Sequence, residues 1–512
     1  VDQAMYGYDN GHRFFGYGGD FGMDNKPNDG MFCMNGIMQP DLAPKAQYYE
    51  VKKVYQNVGV KAVDMKQGQI EIFNKNYFES LADYDIVWSL WKDGVCVLKN
   101  QPLQGVRKAV QARERMNFKL PYDYASLDPE SEYFVKVQFL LSRDMPWAKK
   151  GYVQMEEQLP VRAALKQAPA VASVAVSTQP IVVEEDGAAF KVSGKDFTAK
   201  FDKATGSLSA LTYGSQTIIE EGNGPKLDAF RAPTDNDAGA GYHGDWFRYG
   251  LYNLQHKALS AKAVKQADGR LQISFTVESQ GAEGCSQVYG DRDRTPEKAY
   301  RFDQGRHALG EDDLKFTTNQ VYTVYPDGSI ELQSAISSNR ANVLLPRLGY
   351  AMKLPSAFSK YYYYGRGPIN NYNDRKTGQF IELHESTVAE QGIMLPKPQA
   401  QGNREEVRWC ALTNSRGQGV LFVADGQMSA SALPYSQKEL AEAAHPYQLP
   451  ASSGTHLHLD AKVTGLGGNS CGQGGPLAPD CTKGDDHNFG VIIRPLNIGR
   501  AMPSVITEQA AV

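Results

Sequence analysis

Arg231, Asp235 and Asp237 form the densest set of chemically capable side chains in the chain, within Phe230-Arg-Ala-Pro-Thr-Asp-Asn-Asp-Ala-Gly239. A guanidinium presents a planar fork of donors and the two carboxylates accept, so this segment can close on itself through charge-assisted hydrogen bonds. Asp-x-Asp could also hold a divalent cation, although two carboxylates are few oxygen ligands for one. Pro233 fixes one backbone angle. Gly239, Ala240, Gly241, Tyr242, His243 and Gly244 follow, a run with the composition of a lid or hinge closing on Trp246. The plainer reading is a surface loop with a self-satisfied ion pair.

Other candidates are weaker. Glu220-Glu221, Glu405-Glu406 and Asp485-Asp486 are adjacent pairs. Neighbours in a strand point to opposite faces, so these read as solvated charge rather than shared acid-base sites. His456 and His458 would share one strand face, but no third ligand stands at a metal-binding spacing. No phosphate-binding Walker loop or zinc motif is present. Three more stretches are too particular for generic turns. Tyr364-Gly-Arg-Gly-Pro-Ile-Asn-Asn-Tyr-Asn-Asp-Arg375 gathers Arg366, Asn371 and Arg375. Pro398-Gln-Ala-Gln-Gly-Asn-Arg404 runs on to Trp409, and Met31-Phe-Cys-Met-Asn-Gly36 sets one amide among soft apolar residues. Chemistry alone points to a sugar-binding or structural β-protein.

The elements that must position these groups are mostly strands. With 512 residues, 41% hydrophobic and 22% charged, the chain has room for about three domains and a sizeable core. Lys plus Arg of 54 against Asp plus Glu of 58 gives a net charge of -4, which recommends no nucleic-acid partner. No run of about 18 apolar residues offers a membrane span. Val1-Asp-Gln reads as the middle of a longer chain, which leaves both cytoplasm and periplasm open. A helix is expected from Lys45 to Gln56, after Pro44 in its first turn. From about residue 59 the period becomes two, in Gln69–Phe73, Tyr84–Trp91 and Tyr133–Leu141, which predicts a small antiparallel sandwich. Residues 163–180, rich in Ala, Pro, Ser and Val, read as a linker. Strand follows strand beyond it, including a hairpin turned at Pro326-Asp-Gly328, and together these predict a large two-sheet sandwich. Ser436 with Glu439 forms a capping box for one helix. Residues 281–313, polar and Gly-rich, read as a partly disordered insertion. Cys471 and Cys481 bracket a Gly- and Pro-rich loop that is expected to be disulfide-linked or the most mobile part of this sandwich.

Taken in order, the motifs at Met31, Phe230, Tyr364 and Pro398 resemble the carboxyl-terminal half of the large, five-domain β-galactosidases of glycoside hydrolase family 2, over essentially all 512 residues. The resemblance implies a mainly β chain. Residues 1–57 would be the remnant of a TIM barrel and 58–164 an immunoglobulin-like β-sandwich. A linker at 165–179 would lead to a large galactose-mutarotase-like β-sandwich at 180–512, similar to the small chain of two-chain members. The implied reaction is retaining hydrolysis of terminal β-galactosides such as lactose by two carboxyl groups about 5–5.5 Å apart. Both catalytic glutamates would lie upstream of Val1, in an amino-terminal half that is the expected partner, and the whole enzyme would be a homo-oligomer. Phe32, through its carbonyl, and Asn35 would help hold sodium, with Asn35 also touching substrate, and Asn28 matches a position near magnesium. The run 239–244 resembles a mobile loop that closes toward the site, so without the barrel it is expected open or disordered. Cys471 stands where the family often places a sugar-stacking Trp. By itself the chain is expected to hydrolyse no β-galactoside. The alternatives are a non-catalytic carbohydrate-binding or scaffold protein, and a natural small subunit of a two-chain β-galactosidase.

Overall fold

The computed structural model describes residues 6–9, 11–21, 30, 36–163, 180–286, 298–393, 395–467, 474–499, 506 and 510. The chain divides into two compact units, one of Val1–Ala46, Val171–Lys376 and His384–Val512, the other of Gln47–Ala170 and Thr377–Leu383. Asn28, Phe32, Asn35, Cys471 and the linker 165–179 lie outside the described residues.

The smaller unit is a two-sheet antiparallel sandwich. Val58–Asp64, Gln69–Asn74 and Arg115–Lys119 make one sheet, in that order. Val95–Pro102, Tyr84–Lys92, Tyr133–Leu141 and Val153–Arg162 make the other. The period-two pattern explains it, because Ile70 and Ile72 of one sheet and Ile86, Trp88, Val135, Val137 and Phe139 of the other all turn into one core. The predicted helix is present as Ala46–Val54, and Lys53 near its end pairs with Glu157 at 2.8 Å.

The larger unit is built on a twelve-stranded antiparallel sheet. Its main path runs Lys226–Asp228, Arg347–Leu354, Thr455–Val463, Gln418–Leu433, His487–Asn497, Ile330–Ser338, Lys315–Val324, Leu271–Gly281, Leu254–Lys265. A five-stranded meander, from Val182–Glu185 to Gln216–Ile219, supplies Phe190, Phe201, Leu208 and Leu211 to the same core as the large sheet. Leu271–Gly281 alternates strictly between covered and half-covered residues, as its sequence alternates apolar and polar. The hairpin expected at Pro326-Asp-Gly328 is formed: Val324 faces Ile330, and Gly328 turns at φ 88°. The 16-residue strand Gln418–Leu433 pairs with His487–Asn497 through its first half and with Thr455–Val463 through its second.

Of the supposed disordered insertion, residues 287–297 lie outside the described residues; on its flanks Tyr300 and Phe302 are buried in the main core and Gly284 is bridged to His307, while most side chains from 303 to 312 are exposed. One local expectation is corrected. The supposed open run after Asp237 is folded into two short helices, Asp235–Gly239 and His243–Arg248. Thr234 caps the first, in a capping box closed by Asp237. Trp246 anchors the second: it is fully buried, and its indole donates to the Leu344 carbonyl at 3.0 Å.

Candidate functional site

The motifs at Phe230, Tyr364 and Pro398 converge in the larger unit on one buried polar centre. Arg231 is about as hidden as a core leucine. One of its Nη2 bonds reaches Asp237 Oδ1 at 2.7 Å and another the Gly465 carbonyl at 3.0 Å, while Nη1 donates to the Thr464 carbonyl. Asp237 spends its second oxygen on the Thr234 amide and hydroxyl, at 2.9 and 3.0 Å. Asp235 points elsewhere, to the fully buried Lys397. The plain surface-loop reading is thereby corrected: the ion pair exists, but its members are 2% exposed and belong to the interior. The two Asp residues do not share a ligand, and among the described residues no group of three or more His, Cys, Asp or Glu could hold a metal ion.

The Tyr364–Arg375 stretch is an interlocked turn. Asn371 donates to the carbonyls of Arg366 and Ile369 at 3.0 and 2.9 Å and accepts from the Glu405 amide at 2.8 Å. Arg375 donates to Asn370 at 2.8 Å. Arg366 and Lys376 flank Glu406 at 3.0 and 3.2 Å. A bulge in Arg404–Thr413, with Glu406 at φ 55°, sends the adjacent glutamates in different directions. Glu405 is buried and accepts from Asn403 at 2.7 Å and Ser429 at 2.9 Å. Burial raises the Glu405 carboxyl above the usual range. For Glu406 burial acts in the same direction, but Arg366 and Lys376 outweigh it and leave that carboxyl lowered. Neither is the solvated charge that adjacency suggested, though the two indeed share no site.

Arg404 completes the centre, donating to Tyr363 at 3.0 Å and Gln391 at 2.7 Å. Beside it Arg347 pairs with Asp460, and its Nε lies 3.7 Å from Asp228. His458 is buried and reaches that same Asp228 at 3.3 Å, and His456 is half-buried, with burial lowering its pKa.

The 239–244 run grips a neighbouring loop. A Cβ on Gly475 would fall 1.9 Å from a Tyr242 ring carbon, and Asn236 donates to the Leu466 carbonyl at 3.1 Å. Asp374 accepts from the amides of Leu466 and Gly467 at 3.1 and 3.0 Å. His243 is buried edge-on against Phe247 and Tyr300, and burial lowers its pKa. Both stems of the segment that carries Cys471 are thus fixed by residues 231–242 and Asp374. Gly468-Asn-Ser-Cys-Gly472 also spells Gly-x-Ser-x-Gly, and it too lies outside the described residues.

Residues 193–493 match the family model described as beta galactosidase small chain, 70–162 that of beta-galactosidase domain 4, and 1–60 that of the glycosyl hydrolases family 2 TIM barrel domain. A beta-galactosidase of Priestia megaterium is 31% identical over 475 residues, covering 92% of this chain and 42% of its own. One from Halalkalibacterium halodurans is 30% identical, covering 92% and 42%. The chain therefore spans less than half the length of these relatives. Among solved structures, a galactose mutarotase related enzyme from Lactobacillus acidophilus matches 63% of this chain and 99% of its own at 8% identity, with a TM-score of 0.32.

Proposed function

The chain belongs to the β-galactosidases of glycoside hydrolase family 2, as a carboxyl-terminal part of such an enzyme, and from that premise we propose that it works as the non-catalytic portion of a retaining β-galactosidase acting on terminal β-galactosides. The observation that carries this reading is the match of three consecutive segments to models of the glycosyl hydrolases family 2 TIM barrel, beta-galactosidase domain 4 and the beta galactosidase small chain. The catalytic acid-base and nucleophile come from the amino-terminal portion. In such a site one carboxylate attacks the anomeric carbon while the other gives a proton to the leaving oxygen, and water then releases the sugar. This portion supplies the rim. By the family resemblance the Phe32 carbonyl and Asn35 would hold a sodium ion, Asn35 would also meet substrate, and Asn28 would serve near magnesium. Residues 239–244 set the edge toward the substrate, through their hold on the loop that carries Cys471.

The test is complementation. The purified chain is assayed on a chromogenic β-galactoside alone and after refolding with the amino-terminal portion of a related β-galactosidase. Turnover in the mixture and none by the chain alone is expected. Turnover by the chain alone would overturn the division of labour, and galactose binding without turnover in the mixture would favour a carbohydrate-binding scaffold.

A further inference from the structure

Behind Arg231 lies a chamber with about 10 Å³ of room for a water's centre, walled by Arg231, Arg347, Gln401, Asn403, Ser431 and Gln437. All six side chains are at least nine-tenths buried. Three of these residues each carry a buried atom, Arg231 Nε, Asn403 Oδ1 and Ser431 Oγ, with no hydrogen-bond partner among the described residues. An unmet buried polar atom is costly, so three on residues around one chamber call for a common partner.

The chemistry of that partner follows from the donors and acceptors. Arg231 Nε can only donate, which repels a cation. Asn403 Oδ1 can only accept, which disfavours an anion, and the amide cannot be turned round. Its Nδ2 already donates to the Asn371 carbonyl at 2.9 Å and to Glu405 at 2.7 Å, so a flipped oxygen would face two acceptors. The surrounding charges are balanced as well, Arg231 by Asp237 and Arg347 by Asp460. A neutral group that both donates and accepts is required, and the volume admits a single molecule of it.

We propose that the chamber is a binding site for one internal water, which accepts from Arg231 Nε, donates to Asn403 Oδ1 and shares a hydrogen bond with Ser431 Oγ. It completes the coordination of the arginine whose other nitrogens hold Asp237 and the carbonyls of Thr464 and Gly465. The water therefore ties Asn403 and Ser431 to the stem of the loop that carries Cys471. This assignment is independent of the enzymatic reading above.

Two measurements on the whole chain test it. In a crystal structure at a resolution that orders internal waters, a density peak within hydrogen-bond distance of all three atoms is expected, and a dry chamber overturns the proposal. Thermal unfolding of Ser431→Val gives an opposite sign for the two cases. Its added methyl expels the water and strands Arg231 Nε and Asn403 Oδ1, so the midpoint should fall by about 4 °C, with Ser431→Ala, which leaves room for the water, falling less. If the chamber is dry, Ser431→Val fills a void and removes an unmet hydroxyl, and an unchanged or raised midpoint sinks the assignment.

Discussion

The Arg231 guanidinium meets the Asp237 carboxylate at 2.7 Å, with only 2% of either side chain exposed. Neither charge has bulk water to fall back on. Removing one partner leaves the other buried and unpaired, which typically costs about 3–5 kcal/mol. Arg231→Met and Asp237→Leu should each lose about that much in urea unfolding. The double substitution should lose clearly less than the sum, because no stranded charge remains. Strict additivity would mean that the two side chains act separately.

Asn371 holds three backbone groups from two segments of the chain. Asn371→Leu keeps the size but removes the hydrogen bonds to the Arg366 and Ile369 carbonyls and to the Glu405 amide. A loss of about 3 kcal/mol is expected, read as a lowered urea midpoint. Asn371→Asp should be no better, since its carboxylate cannot donate to the Arg366 and Ile369 carbonyls. A fully stable aspartate variant would count against this bonding scheme.

His256 and His456 are both lowered to about 4, in each case first by burial, with the Lys226 charge adding to it for His256 and Glu439 opposing it for His456. Each is neutral in the folded protein and ordinary, near 6.5, once unfolded. As pH falls from about 6.5 toward 4, the unfolded chain takes up protons that the folded one refuses, so stability is lost across that window. The thermal midpoint should drop on acidification, and His456→Gln should reduce the drop by about 2 °C. An identical pH profile for the glutamine variant would show that another group governs it.

The strands, the Pro326-Asp-Gly328 hairpin and the Ser436 capping box were legible because each signal is local: alternation, a turn residue, a helix start within four positions. The interior role of Arg231 was not, since two of its acceptors, the carbonyls of Thr464 and Gly465, lie more than 230 positions away. The helix Asp235–Gly239 did have a local signal, Thr234 with Asp237 three residues on, but glycine composition spoke louder for a loop. The adjacency of Glu405 and Glu406 misled in the same way. Their environments are set by Asn371, Arg366 and Lys376, which belong to a different stretch of chain. Local rules see propensity, and burial of a charge is decided by partners that only the fold brings near.

Gly349 shows how tightly the fold closes around the Arg347 and Asp460 pair. It sits where the pairing of Arg347–Leu354 with Thr455–Val463 slips register, between Leu348 and Gly349. A Cβ there would lie 2.4 Å from the Asp460 Cα and 2.4 Å from the Leu459 carbonyl oxygen. Both are backbone atoms of the neighbouring strand, so no side-chain rotation relieves the clash and the strands must part. Gly349→Ala should therefore cost about 3 kcal/mol and loosen Asp460 from Arg347. Gly187 provides the control, because a Cβ there meets nothing within 4 Å and its φ is not left-handed. Gly187→Ala should be neutral or slightly stabilising by limiting the unfolded chain. Paired urea titrations of the two variants decide the matter: equal midpoints would mean that the strands at Gly349 yield freely, and the close packing described there would have to be given up.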